Sequence, residues 1–168
     1  MPLDDPTENF YWVDENDNVL GQITRFEAHH DRNKIHRSVQ IVLTNKKGEV
    51  LSQQRSFKKD KDPGNWSIST SGHVTYPDNY LETAYRELKE ELGIETPLTF
   101  VTKIHYNGKT EQEMSAIFTG HYEQLPEGFD KDEVQAMKWI TKTEIKAAAK
   151  RNEWSGGDML TFKTLGYL

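Results

Sequence analysis

The order of elements legible in the sequence is that of an α+β chain. Three observations carry this. Short β-branched or aromatic runs separated by turn residues fill residues 10–74, one acidic amphipathic helix follows, and later strand patterns give way to helical ones near the end.

The first nine residues, MPLDDPTEN, are acidic and carry two prolines, so residues 1–9 are expected to form a flexible, irregular arm and residues 10–168 a single domain. Phe10–Val13 and Val19–Thr24 read as strands joined by the polar turn Asp14–Asn18, an N-terminal β-hairpin. Glu27–His36 is too polar for a strand and sets His29 and His36 seven residues apart, a spacing that suits surface histidines as well as metal ligands. Ser38–Leu43, the turn at Asn45–Gly48 and Val50–Arg55 form a second hairpin. A cationic loop with Arg55, Lys58, Lys59 and Lys61 closes at Pro63–Gly64 and leads into the strand-like Trp66–Val74, where Ser71 and His73 flank Gly72.

The central helix starts at a capping box, Asn79 with Glu82 three residues on, and ends at Gly93, which suits the left-handed C-terminal cap. Leu81, Tyr85, Leu88 and Leu92 fall at i, i+4, i+7 and i+11, a stripe expected to face the core. Glu87, Glu90 and Glu91 fall at i, i+3 and i+4 on a separate face, close enough to repel one another unless a cation joins them. Hard divalent cations take such oxygen ligands, and Arg86 can pair with a carboxylate or a phosphate. Beyond the helix, Leu98–Tyr106 and Met114–Phe118 read as strands joined by Asn107–Gly108 and a polar loop containing Glu111 and Glu113, which point to one side if extended. Val134–Ile140 is a further strand, Thr141 with Glu144 caps a helix through Ala149, and the tail from Gly157 reads as a short amphipathic helix.

With 168 residues, 35% of them hydrophobic and 29% charged, the chain can bury one substantial core. A net charge of −6 with dispersed Lys and Arg excludes a broad nucleic-acid footprint. The absence of cysteine excludes disulfides, thiolate metal sites and cysteine nucleophiles. No apolar stretch approaches the length of a membrane span, and the default expectation is a cytoplasmic protein.

Gly72, Arg86, Glu87, Leu88, Glu90, Glu91, Gly93 and Ile94 together resemble the Nudix box, G(x)5E(x)7REUxEExGU, over residues 72–94, with Asp78 where the family has Glu. The resemblance implies a Nudix α/β/α sandwich with a mixed β-sheet, to which the N-terminal hairpin adds. It implies a hydrolase that cleaves a diphosphate bond in a nucleoside diphosphate derivative or related organic pyrophosphate, with Mg²⁺ or Mn²⁺. In that reading Glu87, Glu90 and Glu91 hold the metal, Arg86 orients a carboxylate, Arg55 and Lys59 bind the phosphates, and Glu113 or Glu133 is the general base. The expected partner is a small-molecule diphosphate, with neither a nucleic acid polymer nor a membrane; a homodimer is left open.

From about His29 to Trp139 the chain is also similar to type 1 isopentenyl-diphosphate isomerases, which share the Nudix fold. Three His and two Glu hold a divalent metal in that family, and His29, His36, His73, Glu111 and Glu113 stand at the matching positions, which implies a second divalent metal such as Zn²⁺. Arg55, Lys59 and Arg86 match diphosphate contacts there, and Pro63–Gly64–Asn65–Trp66 matches the PGxW turn. Ser71 replaces the catalytic cysteine of the isomerases, and a hydroxyl is a far weaker acid than a thiol of pKa about 8.5. The box core that isomerases commonly degrade is complete here. Hydrolysis is therefore the leading expectation, isomerisation the alternative, and a non-catalytic nucleotide-binding module a third.

Overall fold

The computed structural model describes residues 4–168. Of the arm expected over residues 1–9, residues 1–3 lie outside the described residues. Asp4 and Glu8 meet the Arg25 guanidinium at 2.7 and 3.3 Å.

Among the described residues nine strands form one sheet. In chain order these are β1 (Asn9–Val13), β2 (Val19–Thr24), β3 (Ile35–Thr44), β4 (Val50–Arg55), β5 (Trp66–Ser67), β6 (Thr70–His73), β7 (Leu98–Asn107), β8 (Gln112–His121) and β9 (Val134–Ile140). Four helices accompany them: α1 (Arg25–His30), α2 (Tyr80–Leu92), α3 (Lys142–Lys150) and α4 (Gly156–Thr164). β3 is the hub, pairing antiparallel with β1, β4 and β6 and parallel with β8. β4 carries β9 and β5, and β7 closes on β8. One parallel pair among antiparallel ones makes the sheet mixed.

Side-chain alternation along β3 sorts the molecule into layers. Val39, Ile41 and Leu43 pack in one buried cluster with Ala84, Leu88 and Leu92 of α2. On the other face Val42 joins Ile68, Ile145 and Phe162 beneath α3 and α4. The sheet is thus held between α2 and the C-terminal helices, and each fully buried leucine contributes about 1.5–3 kcal/mol. The N-terminal half of that second face is polar, with His36, Ser38 and Gln40 buried at successive even positions. Ser38 and Gln40 line a cavity rather than the core.

Several sequence expectations are corrected. Residues 25–30, part of a stretch read only as too polar for a strand, form α1, whose start is a capping box of Thr24 with Glu27. β3 begins at Ile35 rather than Ser38, because ten residues pair in register with β8 from Ile35–Gln112 to Thr44–His121. The strand expected over Trp66–Val74 is two: β5 pairs with β4 and β6 with β3, so the chain changes partner between them. The stripe of α2 is also shifted. Leu88 and Leu92 are buried, but Leu81 is 48% and Tyr85 41% exposed, while Thr83 and Ala84 are buried in their place. The tail helix α4 buries Asp158 and Thr161 beside Phe162, so it lacks the apolar stripe of an amphipathic helix.

Candidate active site

The roll of α2 is set by its carboxylates. About 100° separates successive residues of a helix, so Glu87 and Glu91 border the face that carries Ala84 and Leu88. Turning that face to the sheet brings both carboxylates against β6 and pushes Leu81 and Tyr85 to the flank. Thr70 Oγ1 and Gln53 Nε2, the latter at 3.3 Å, both donate to Glu91 Oε2. Glu87 lies directly over Gly72: a Cβ built there would stand 2.4 Å from Glu87 Cδ and 2.7 Å from its Oε1. The glycine is required by this close approach. Gly93 is required for a different reason, since it ends α2 at φ 65°, in the left-handed region.

Burial, with repulsion from Glu91, pushes the Glu87 carboxyl up to about 8. Burial also pushes Glu91 up to about 7, against the stabilising bonds from Thr70 and Gln53. Glu90 is exposed and faces the same cavity. Arg86 Nη1 pairs with Asp78, and Arg86 Nη2 stands 3.7 Å from Glu87 Oε1. The shorter Asp at position 78 thus still reaches the arginine eight residues on.

His29, His36, His73, Glu111 and Glu113 converge on the other side of β6. The ligand atoms within each of the sets His29/His36/His73 and His36/Glu111/Glu113 lie within 4.8 Å of one another. The Nε2 atoms of His29 and His73 are 3.2 Å apart, and His29 Nε2 is 3.3 Å from Glu111 Oε2. Glu113 accepts from Ser38 Oγ at 2.8 Å and stands 3.8 Å from His36 Nε2. Phe10 from the N-terminal hairpin stacks on His73 and His36 with centroids 4.8 and 5.6 Å away, and α1 supplies His29. The hairpin therefore closes one wall of the cluster. Burial lowers His29 to about 4, His36 to about 3 and His73 well below its ordinary value, so all three are neutral imidazoles at pH 7. His36 is wholly buried, yet neither ring nitrogen has a hydrogen-bond partner among the described residues. Neutral imidazoles with orphaned nitrogens beside two carboxylates fit a divalent cation.

Glu87, Glu90 and Glu91 line one cavity of about 1080 Å³ together with His29, His73, Glu111 and Glu113 of the cluster, and it also takes in Arg55, Lys59, Ser71 and Glu133. Arg55 Nε donates to the Lys61 carbonyl at 3.0 Å, and Lys59 Nζ donates to Glu133 Oε2 at 2.8 Å. The two carboxylates considered as general base are separated here. Glu113 belongs to the histidine cluster, whereas Glu133 acts electrostatically on Glu87 and Glu91. Sequence reasoning missed Gln53, Thr70 and Phe10, for which no motif speaks. It also missed Lys61 as the partner of Glu111.

The NUDIX domain profile matches residues 34–160. The chain belongs to the Nudix family. The α/β/α sandwich expected of a Nudix domain is the one observed, and divalent metals are typical of the family. Among known relatives, an isopentenyl-diphosphate Delta-isomerase of Nocardia farcinica is 31% identical over 141 residues, 80% of this chain and 80% of that protein. An uncharacterized Nudix hydrolase of Pseudomonas aeruginosa is 42% identical over 83 residues, 49% of this chain and 48% of that one. The crystal structure of DR0079 from Deinococcus radiodurans superposes with a TM-score of 0.80 at 24% identity, covering 94% of this chain and 97% of that one, a likeness of fold. The sequence relatives thus include proteins named for isomerisation and for hydrolysis.

Proposed function

We propose that this Nudix protein is a Mg²⁺- or Mn²⁺-dependent pyrophosphohydrolase that cleaves a diphosphate bond in a nucleoside diphosphate derivative or related organic pyrophosphate. The observation that carries the reading is the placement of Glu87 and Glu91, half-buried side by side against β6 with Glu90 next to them, at the wall of a cavity that also presents Arg55 and Lys59. Carboxylates held this way at neutral pH call for a cation. When bound, that cation supplies charge neutralisation on the phosphates and acidifies an attacking water.

The chain's own residues do the remainder. Thr70 and Gln53 hold one oxygen of Glu91, and Arg86, itself held by Asp78, orients Glu87. Arg55 and Lys59 offset charge that develops on the phosphate oxygens. Glu133 is the general base in this reading, since it shares the field of Glu87 and Glu91 while Glu113 is engaged with His36 and Ser38. His29, His36, His73, Glu111 and Glu113 hold a second divalent cation, with Zn²⁺ or Mn²⁺ suited to mixed nitrogen and oxygen ligands. Phosphoanhydride cleavage should fall at least 100-fold in Glu91→Gln with an unchanged fold; near-normal turnover would refute the assignment.

One observation favours isopentenyl-diphosphate isomerisation as a second reading: the histidine cluster lies beside Ser71, which lines the same cavity two residues before His73. On that reading Ser71→Cys raises dimethylallyl diphosphate formation from isopentenyl diphosphate. No gain leaves only the scaffold in common.

A further inference from the structure

Lys61 sits on the exposed loop between β4 and β5 with Asp60 and Asp62 on either side, yet its Nζ pairs with Glu111. The Glu111 side chain is 5% exposed and that of the lysine 61%, so a surface residue reaches inward past the acids beside it. Glu111 is one of the five cluster residues, and its other oxygen lies 3.3 Å from His29 Nε2. The charge of Lys61 also helps to hold His29, His36 and His73 below their ordinary values. The ammonium therefore stands at the edge of the cluster. There it supplies the positive charge that a buried carboxylate requires.

We infer that Lys61 is a built-in cation that holds Glu111 in the metal-free protein and is displaced when a divalent cation enters the histidine–glutamate cluster. The inference rests on reading that cluster as a divalent-cation site and adds its regulation. Two positive charges share one buried carboxylate only at the cost of strong mutual repulsion, so ammonium and metal exclude each other. The loop carries the exchange to the phosphates. The Lys61 carbonyl accepts from Arg55 Nε at 3.0 Å, the Gly64 amide donates to the Arg55 carbonyl at 3.1 Å, and Lys59 lies between them on the same loop. Arg55 and Lys59 are the phosphate-binding residues of the reading above. Release of Lys61 loosens the loop that holds them, which links metal entry to substrate binding.

The test is the Zn²⁺ affinity of the whole chain, measured by chelator competition with excess Mg²⁺ present to occupy the box carboxylates, together with melting with and without Zn²⁺. Lys61→Met keeps the stem and removes the charge. It should bind Zn²⁺ about tenfold more tightly, the scale of one charge-assisted contact partly screened by solvent. Linkage requires the same free energy to reappear as stability. The Zn²⁺-free variant should melt about 3–5 °C lower than the unmodified protein, and the two should melt together once loaded with Zn²⁺. Lys61→Arg, which keeps a cation, should behave as the unmodified protein does. Equal or weaker Zn²⁺ binding by Lys61→Met overturns this inference alone, as does a gain in Lys61→Arg equal to that in Lys61→Met. Equal loss of melting temperature with and without Zn²⁺ also overturns it, by making the lysine merely structural. Failure of both the unmodified protein and Lys61→Met to bind Zn²⁺ overturns the metal reading of the cluster, and this one with it.

Discussion

Replacing Gly72 by Ala tests the seat of Glu87 by adding one methyl group. The backbone of Gly72 is outside the left-handed region, so Ala strains no dihedral there, and the effect is steric alone. The new Cβ would meet Glu87 Cδ at 2.4 Å where ordinary contact begins at 3.4 Å, so the carboxylate must retreat by about 1 Å. Overpacking of this kind costs about 1–3 kcal/mol, or about 2–12 °C of melting temperature for a chain of this size. Activity should suffer more, because a displacement of about 1 Å at a reacting centre costs about 100-fold. The assay is phosphoanhydride cleavage across a Mg²⁺ titration. Turnover should fall about 100-fold and half-saturation should move to higher Mg²⁺. Gly21→Ala is the control: its nearest neighbour, Trp12 Cε3, is 3.6 Å away, and activity should be unchanged. Wild-type turnover and metal dependence in Gly72→Ala would show that Glu87 does not work from this position.

Other outcomes follow from the same geometry. Because Glu87 and Glu91 titrate near 8 and 7 when folded and near 4.5 when not, the metal-free protein binds more protons folded than unfolded in between. The stability these two carboxyls contribute is fully present below about pH 4.5 and lost as pH rises through 7 to 8. The depressed histidines act oppositely, but only below about pH 6.5. Melting temperature should therefore fall from pH 6.5 to 8 without metal, and Mg²⁺ should remove the slope; a metal-free melting temperature that stays flat or rises would contradict the titration. His36→Leu should lower the Zn²⁺ or Mn²⁺ retained by protein purified without chelator, with little loss of metal-free stability, since His36 bonds to nothing among the described residues; unchanged metal content counts against the cluster. In α2, Leu88→Ala should cost about 2–5 kcal/mol by denaturant unfolding and Leu81→Ala under about 1, and equal costs would contradict the observed roll of the helix.

The elements that local chemistry specifies were legible in the sequence. The caps at Asn79–Glu82 and Thr141–Glu144, the Gly93 terminus and the runs at Val19–Thr24 and Val134–Ile140 all stand where side-chain chemistry and periodicity put them. α1 was written in the same code, as Thr24 and Glu27, but the flanking histidines and charges masked it. The polar start of β3 and the break between β5 and β6 could not be read this way. Their strand character comes from pairing with β8, β4 and β3, which are distant in sequence.

By itself the sequence determined which chemistry is available: a glycine, an arginine and three glutamates at fixed helical spacing, three histidines and two glutamates scattered over residues 29–113, and no thiol. Only the tertiary structure decided what those residues do to one another. It rolled α2 so that Glu87 and Glu91 share a half-buried wall, brought Glu133 into their field, and assembled the five dispersed ligands, with Phe10 packed on the histidines. The reason is physical. Helical spacing acts over a few residues and is written in the chain, whereas burial and through-space repulsion depend on which distant strands the sheet sets side by side.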